Sequence, residues 1–235
     1  VAQDPSRLEA KPAKSSRRSI FPWGQSKKPV PSPEDYAKIV EKGSSSKEVR
    51  QQAIAALPLQ RLQQETRRRV LDLVDKTGLF RQMPTVAMDV ERDVYDYFAA
   101  HPDAAVSVWR ALKISKFQLK QTGENTYTSD AGDGTAGNVE VLLRTPTEQL
   151  AICEGVYKSP LLLKPIRAKA ILHLRTKFRN GAGGRTQATH RVALFVSFPS
   201  QTVETAAKVI SPVSNMIVDR NFHRSEEHTS ELQSR

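Results

Sequence analysis

Alternation of apolar and polar residues dominates the second half of the chain. From Ile166 to Arg175, the even positions are apolar, and Arg167, Lys169 and His173 stand at odd positions between them. A period of two predicts a β-strand with one buried face and one solvated face. Similar but shorter patterns predict strands at residues 85–90, 117–120, 126–128, 139–144, 150–156 and 192–198. Because short spacers join most of these strands, the predicted sheet is antiparallel, with about six strands.

Residues 33–82 follow a helical pattern instead. Ser32-Pro33 followed by two acids predicts a helix start, and Gly43 predicts its end. Ser46 predicts the cap of a second helix, and a third is predicted through residues 59–74. The segment 33–82 is therefore predicted to be helical.

Residues 83–223 are predicted to form the main domain. A helical stretch over residues 94–112, broken at Pro102, precedes the sheet strands. After the sheet, apolar residues spaced by three and four predict a last helix over residues 203–217. The predicted fold class is α+β: N-terminal helices, then an antiparallel sheet of about six strands packed on a C-terminal helix.

Composition excludes several classes of protein. The chain has 235 residues, 38% of them hydrophobic, with a mean hydropathy of -0.49. No run approaches the ~18 apolar residues of a membrane-spanning helix, so no transmembrane segment is predicted. The single Cys153 excludes a disulfide scaffold and a cysteine-based zinc site. The oligomeric state is left open.

The two ends of the chain differ from the middle. Residues 1–32 hold seven Lys/Arg against two acids and no periodic apolar pattern, so we predict a disordered basic linker. The first residues, Val1 to Pro5, would suit the start of a mature exported protein, which favours a bacterial periplasmic location over the cytoplasm. Residues 224–235 resemble an in-frame translation of a sequencing adapter. We predict a non-native tail that truncates the main domain near His223.

The order of the predicted elements, a strand, a helical stretch, the sheet and a long helix, resembles the helix-grip fold of the START-like (polyketide-cyclase-like) superfamily. Residues 101–110, 130–134 and 198–203 also resemble a bacterial family with no assigned activity. The START-like resemblance implies a curved sheet that wraps the last helix and leaves an apolar cavity between them. A sheet packed tightly on its helix would have the same sequence pattern.

That resemblance implies an apolar small molecule or lipid-like ligand as partner. The residues predicted to line its site are the inward positions of four strands and one face of the last helix: Val141, Leu143, Ile152, Leu172, Leu174, Leu194, Val196, Val203, Ala207 and Ile210. A non-enzymatic protein that binds such a ligand is the first functional hypothesis.

Motifs for catalysis are not convincing. Residues 132–139 match G-x-G-x-x-G-x-V, but a strand pattern follows where a dinucleotide site needs a helix. The kinase lysine and later kinase signatures are also missing. Asp130 and Asp133 lack the calcium-loop spacing and predict a turn held by aspartate side chains. No catalytic residue, metal site or cofactor is predicted.

The basic strand is the most specific chemical feature. Residues 139–198 contain ten Lys/Arg against three Glu. Alternate residues of a strand lie about 6.6 Å apart, close to the spacing of successive phosphates in a nucleic acid. The second hypothesis is therefore an accessory protein that binds nucleic acid or an anionic membrane surface through the basic tail and the strand. Its predicted contacts are Arg167, Lys169, Arg175, Lys177 and Arg179.

Overall fold

The computed structural model describes residues 37–113, 115–158, 164–180 and 186–198. Nine strands and four short α-helices occur in these ranges. The strands are β1 (Ala37–Glu41), β2 (Leu79–Gln82), β3 (Thr85–Val90), β4 (Gln118–Gln121), β5 (Thr126–Asp130), β6 (Thr135–Arg144), β7 (Glu148–Tyr157), β8 (Ile166–Asn180) and β9 (Thr186–Ser197). The helices are α1 (Lys47–Ala55), α2 (Gln64–Asp75), α3 (Arg92–Ala100) and α4 (Pro102–Ala111).

All nine strands belong to one antiparallel sheet: eight follow the order β1-β3-β9-β8-β7-β6-β5-β4, and β2 pairs with β9 beside β3. The predicted fold class is therefore wrong, because the molecule is dominated by this large sheet rather than by a six-strand sheet between helices. The predicted antiparallel pairing is confirmed. The predicted last helix, residues 203–217, lies outside the described residues, so the helix-grip resemblance gains no support from them.

The strands that were missed lie at the beginning of the chain. Ala37–Glu41 was predicted to be helical but pairs with β3. The β-branched Ile39 and Val40 favour this extended edge strand, whereas Gly43 marks only the end of the segment. The two following helices are confirmed, and the Ser46 side chain caps α1 by accepting from the backbone N–H of Val49.

β2 was also missed, because it is short and directly follows α2. It pairs with one end of β9, and β3 pairs with the other end. The register shifts by one residue between the two pairings, at Met83-Pro84. Proline has no N–H to donate and is tolerated in a sheet mainly at such an irregular edge position. β2 and β3 thus pair with the same side of β9, as two parts of one interrupted strand.

The helices cover the two faces of the sheet at different places. On one face, here called the α2 face, α1 and α2 pack on the strands. Its core combines helix residues with strand residues: Ala53, Leu57, Leu62, Val70, Leu73, Val74, Phe80, Leu150, Ile152, Ile171, Ala193 and Phe195. Phe80 and Phe195 bring their rings within 5.1 Å of each other. Burial on this scale is the main force that holds the helices on the sheet.

The opposite face, here called the α3 face, carries α3 near the far ends of β8 and β9. Tyr95 of α3 packs its ring edge-on against Phe178 and shares a 2.8 Å hydrogen bond with the hydroxyl of Thr176. The Gln149 side chain donates to the carbonyl of Ala99 at 3.0 Å. The predicted break at Pro102 is confirmed, because α3 ends at Ala100 and α4 begins at Pro102.

The glycine-rich motif is a hairpin turn between β5 and β6, as predicted. Asp130 accepts from the backbone N–H of Gly132 at 2.7 Å, and Asp133 accepts from that of Thr135 at 2.9 Å. Gly134 has a φ of +96°, and a Cβ placed on it would lie 2.2 Å from the carbonyl oxygen of Lys158. The close approach of the Lys158 carbonyl therefore explains why residue 134 is glycine, and the motif needs no phosphate-binding role to account for it.

Candidate anion-binding groove

The odd residues of β8 lie on the α2 face, but they are not all solvated. Ile171 and His173, predicted to be on a wet face, are 0% and 1% exposed. That prediction is wrong because α2 covers the middle of the strand. A strand buried on both faces has no simple alternation in its centre. The predicted row of cations is consequently interrupted.

The five predicted polyanion contacts fall into two groups. Arg167 and Lys169 precede the buried centre, and Lys169 pairs with Glu154 at 2.6 Å. Arg175, Lys177 and Arg179 follow the centre. Arg175 lies six positions after Lys169, so the two groups are about 20 Å apart along the strand.

The second group lines a groove on the α2 face. The groove has a volume of about 340 Å³ and is built from the ends of four adjacent strands. Its lining residues are Val40, Glu41, Thr85, Ala87, Arg175, Lys177, Arg179, Gln187, Thr189 and Arg191. Four cations thus surround one acid, which makes the groove strongly positive.

Strand register sets two arginines against each other. β8 and β9 pair Arg175 directly with Arg191, so their Cα atoms are about 5 Å apart on neighbouring strands. Like charges in directly opposite positions destabilise a sheet. Desolvation by burial, and then the charge of Arg191, lower the pKa of Arg175. The folded protein therefore holds the charged form of Arg175 at a cost.

Glu41, on the edge strand β1, is the acid of the groove. Its carboxylate accepts from the Thr85 hydroxyl at 2.9 Å and pairs with Arg191. The hydrogen bond from Thr85 and the charges of Arg191 and Lys177 hold the pKa of Glu41 below its ordinary value. The carboxylate shows that an anion can be accommodated between these groups.

The other three cations are available to a ligand. Among the described residues, Arg175, Lys177 and Arg179 form no hydrogen bond and no ion pair within 4.0 Å. Glu148 faces Arg175 from β7, but its oxygens already bind Arg61 and His173. A guanidinium group carries five N–H donors, so these arginines leave strong donors without acceptors.

The chemistry of the lining favours anionic oxygens rather than bases or rings. The uncharged residues Thr85, Gln187 and Thr189 add hydrogen-bonding groups beside the cations. No aromatic side chain is among the lining residues of this groove. Base stacking, which carries much of single-strand recognition in other proteins, is therefore not provided here.

The residues predicted to line an apolar ligand site do not share one face. Val141, Leu172, Leu174, Leu194 and Val196 lie on the α3 face. Leu143 and Ile152 instead pack in the core beneath α1 and α2, so they do not share a surface with the other five. For Leu143 the cause is a bulge: Val141 pairs with Ala151, whereas Leu143 pairs with Leu150. The remaining predicted residues, Val203, Ala207 and Ile210, lie outside the described residues.

Buried His173 belongs to a structural network. Its Nε2 lies 2.9 Å from the carboxylate of Glu148, which also accepts from Arg61 at 2.7 Å. Desolvation lowers the pKa of His173, although Glu148 opposes this shift. The ring is 1% exposed and therefore out of reach of a substrate.

Cys153 also shows no sign of activation. Burial raises the pKa of its thiol to about 11, so the thiol is protonated at neutral pH. Within the described ranges, no three His, Cys, Asp or Glu side chains are grouped closely enough to hold a metal ion. The groove is thus the candidate functional site among the described residues.

Sequence reasoning missed two members of the groove, Arg191 and Glu41. Arg191 counts among the basic residues of the sheet, but its position opposite Arg175 depends on the register that follows the loop after Asn180. Glu41 was assigned to a helix, and no short-range signal places it beside residues about 150 positions later.

Comparison with known proteins adds little to this picture. Neither a family profile nor a curated protein matches the sequence. Among solved structures, the chain is similar to a conserved protein from Geobacillus kaustophilus, with a TM-score of 0.41 and 12% identity over 63% of this chain and 93% of that one. A likeness at that level supports no functional argument. In the described part of the chain, no helix is both long and apolar enough to cross a membrane.

Proposed function

We propose that the protein binds the phosphate backbone of a nucleic acid in the groove formed by β1, β3, β8 and β9. The proposal rests on one observation above all: Arg175 and Arg191 oppose each other across two strands, with Lys177 and Arg179 beside them and Glu41 as the one acid among the described lining residues. An arrangement that is unfavourable in the free protein becomes favourable when an anion lies between the cations.

The shape of the site favours a linear anion. Arg175, Lys177 and Arg179 form a row about 13 Å long, with a spacing of about 6.6 Å. A row of cations inside a groove matches a phosphate chain better than the plane of lipid headgroups. Without aromatic side chains or a base-reading element in the lining, binding would depend little on sequence.

The experiment compares two triple variants of equal charge. R175Q/K177Q/R179Q removes three cations from the groove. K120Q/R167Q/K169Q removes three from the same face on the other side of its buried centre and is the matched control. Binding of a fluorescent single-stranded oligonucleotide is measured by anisotropy at moderate salt. Each charge-assisted phosphate contact contributes about 1.5 kcal/mol or more, so the groove variant, which loses three of them, should lose about a thousandfold or more in affinity.

The control variant should lose less than about fivefold in oligonucleotide affinity, because its three cations contribute only to the long-range electrostatic attraction. Equal losses in the two variants would contradict the groove and show binding through overall charge. Unchanged binding in the groove variant would do the same. The protein could instead bind anionic vesicles tightly and oligonucleotides not at all. If the groove variant then abolished vesicle binding, the ligand of the groove would be a membrane surface rather than a nucleic acid.

The apolar ligand predicted from the sequence stays a prediction. Five of its residues on the α3 face still share a surface, but Leu143 and Ile152 do not contribute to it. Export to a bacterial periplasm likewise stays a prediction. No described residue carries an argument for either.

A further inference from the structure

A second surface, away from the groove, combines exposed apolar side chains with cations. It is the C-terminal turn of α4, here called the α4 tip, and comprises residues 107–113. Every residue of this tip is exposed to solvent. Val106, one residue earlier, is 5% exposed and attaches the helix to the protein. The helix therefore ends in a turn that projects from the surface.

The apolar part of the tip consists of three side chains. Val108, Trp109 and Leu112 are 42%, 49% and 64% exposed. Helical spacing places residues three or four apart side by side, so Leu112 lies next to both others. Their exposed area is on the order of 300 Å², well below the ~800 Å² that each partner of a stable protein interface contributes.

Cations lie beside this apolar group. Arg110, Lys113 and Lys116 line a wide concavity of about 760 Å³ beside the tip, and the described residues that line it include no acid. Lys113 has a φ of +60°, the one positive φ among the non-glycine residues that the structure describes. A lysine in this left-handed position costs on the order of 1 kcal/mol relative to glycine. The chain thus keeps a charged side chain where glycine would stabilise the turn.

We infer that the α4 tip inserts into the surface of an anionic lipid bilayer. Tryptophan and leucine side chains partition to the boundary between headgroups and acyl chains, and lysine and arginine next to them bind lipid phosphates. An exposed apolar group with cations beside it is complementary to such a surface. The exposed apolar area of the tip is smaller than a stable protein interface requires.

Insertion of the tip is independent of the proposed groove. Arg110, Lys113 and Lys116 supply roughly 1 kcal/mol each near an anionic membrane, and the apolar side chains supply the depth of insertion. Neither contribution requires Arg175 or its neighbours. The two sites can therefore be tested separately.

The test follows Trp109 fluorescence in the full chain. The sequence contains a second tryptophan, Trp23, so W23F leaves Trp109 as the single emitter. On addition of vesicles of equimolar phosphatidylglycerol and phosphatidylcholine, Trp109 emission should shift to shorter wavelength and be quenched by brominated acyl chains. Vesicles of phosphatidylcholine alone should produce neither change.

Variants separate the apolar and the ionic contributions. L112S should reduce partition into the anionic vesicles about tenfold, and R110Q/K113Q/K116Q about a hundredfold. V94S, which changes a valine that is 53% exposed on α3, is the matched control and should bind as the parent does. The groove variant R175Q/K177Q/R179Q should keep the spectral shift. Circular dichroism checks that each variant is folded.

Three results would overturn the inference. One is vesicle binding without a change in Trp109 emission, because contact would then occur elsewhere. Another is equal binding of L112S and the parent. The third is a spectral shift that grows with protein concentration in the absence of lipid, which would show that the tip contacts a second copy of the chain.

Discussion

Replacing Arg175 with glutamine removes one of two guanidinium groups that face each other across β8 and β9. The pKa of Arg175 is lowered, with desolvation as the largest cause and Arg191 as the next. The charged form is therefore less favourable in the folded protein than in the unfolded chain. Neutralising the side chain should stabilise the fold, although it removes a ligand contact.

The expected gain in the free energy of unfolding follows from the typical energies of like-charged cross-strand pairs. Like charges in opposite positions cost roughly 0.2–1 kcal/mol, so R175Q should raise the free energy of unfolding by about 0.5 kcal/mol at low salt. For a chain of this size, that corresponds to an increase in Tm of about 1–2 °C. R175M keeps more of the apolar stem of the arginine and should gain at least as much.

The assay is urea denaturation of the parent and the variants at about 20 mM and about 500 mM salt. High salt shortens the screening length to a few ångströms, so the gain should shrink. K169Q is the matched control on the same strand and face, because Lys169 is paired with Glu154 and its loss should stabilise nothing. A salt-independent loss of stability in R175Q and R175M would refute the reasoning and make Arg175 a structural residue.

Four further predictions follow from other parts of the structure. E41Q removes the carboxylate that pairs with Arg191, so oligonucleotide affinity in the anisotropy assay should rise about threefold to tenfold; a loss would contradict the role of Glu41 as a competing anion. Burial lowers the pKa values of His173 and His190, so the unfolded chain gains protons before the folded protein does as pH falls below about 6.5. The free energy of unfolding should therefore decline between pH 7 and pH 5, and it should decline less steeply in H190Q. Identical slopes in the parent and H190Q would contradict this expectation. Cys153 is partly exposed but has a pKa of about 11, so Ellman's reagent should react with it far more slowly in the native protein at pH 7.5 than in urea, and equal rates would contradict the raised pKa. G134A places a methyl group against the Lys158 carbonyl at a positive φ and should lower stability by at least about 1 kcal/mol in thermal unfolding, whereas G155A, whose Cβ would contact nothing closer than 3.7 Å, should lower it less.

Local patterns in the sequence predicted the strands that alternate clearly. The strand over 85–90, the hairpin strands on either side of residues 123–125 and the long β8 follow from period-two patterning, and the Asp130 turn follows from its residue types. The break at Pro102 follows from the covalent geometry of proline. Each of these features depends on neighbours within a few residues.

Features that depend on distant partners were not predictable in this way. Whether Ile171 and His173 face solvent is decided by α2, about 100 residues earlier, which covers the middle of β8. The displacement of Leu143 to the α2 face depends on a bulge that only the pairing with β7 reveals. β1 forms because β3 offers an unpaired edge, which a helical pattern around residue 40 does not show.

The candidate site was predicted in part. Arg175, Lys177 and Arg179 were identified from their shared parity on one strand, and they do line one groove. Their separation from Arg167 and Lys169, and the presence of Arg191 and Glu41, arise from strand register and helix packing. The basic residues that form one row in the sequence therefore lie on two separate surfaces in the structure.

The salt dependence of oligonucleotide binding tests the central proposal most directly. For single strands, log K falls with log salt by about 0.7 for each phosphate that is contacted. If the groove provides the contacts, R175Q/K177Q/R179Q should have a slope less steep than that of the parent by about 2, and K120Q/R167Q/K169Q should keep the parent slope. Identical slopes for the parent and the groove variant would contradict the account, because the three cations would then release no counterions on binding.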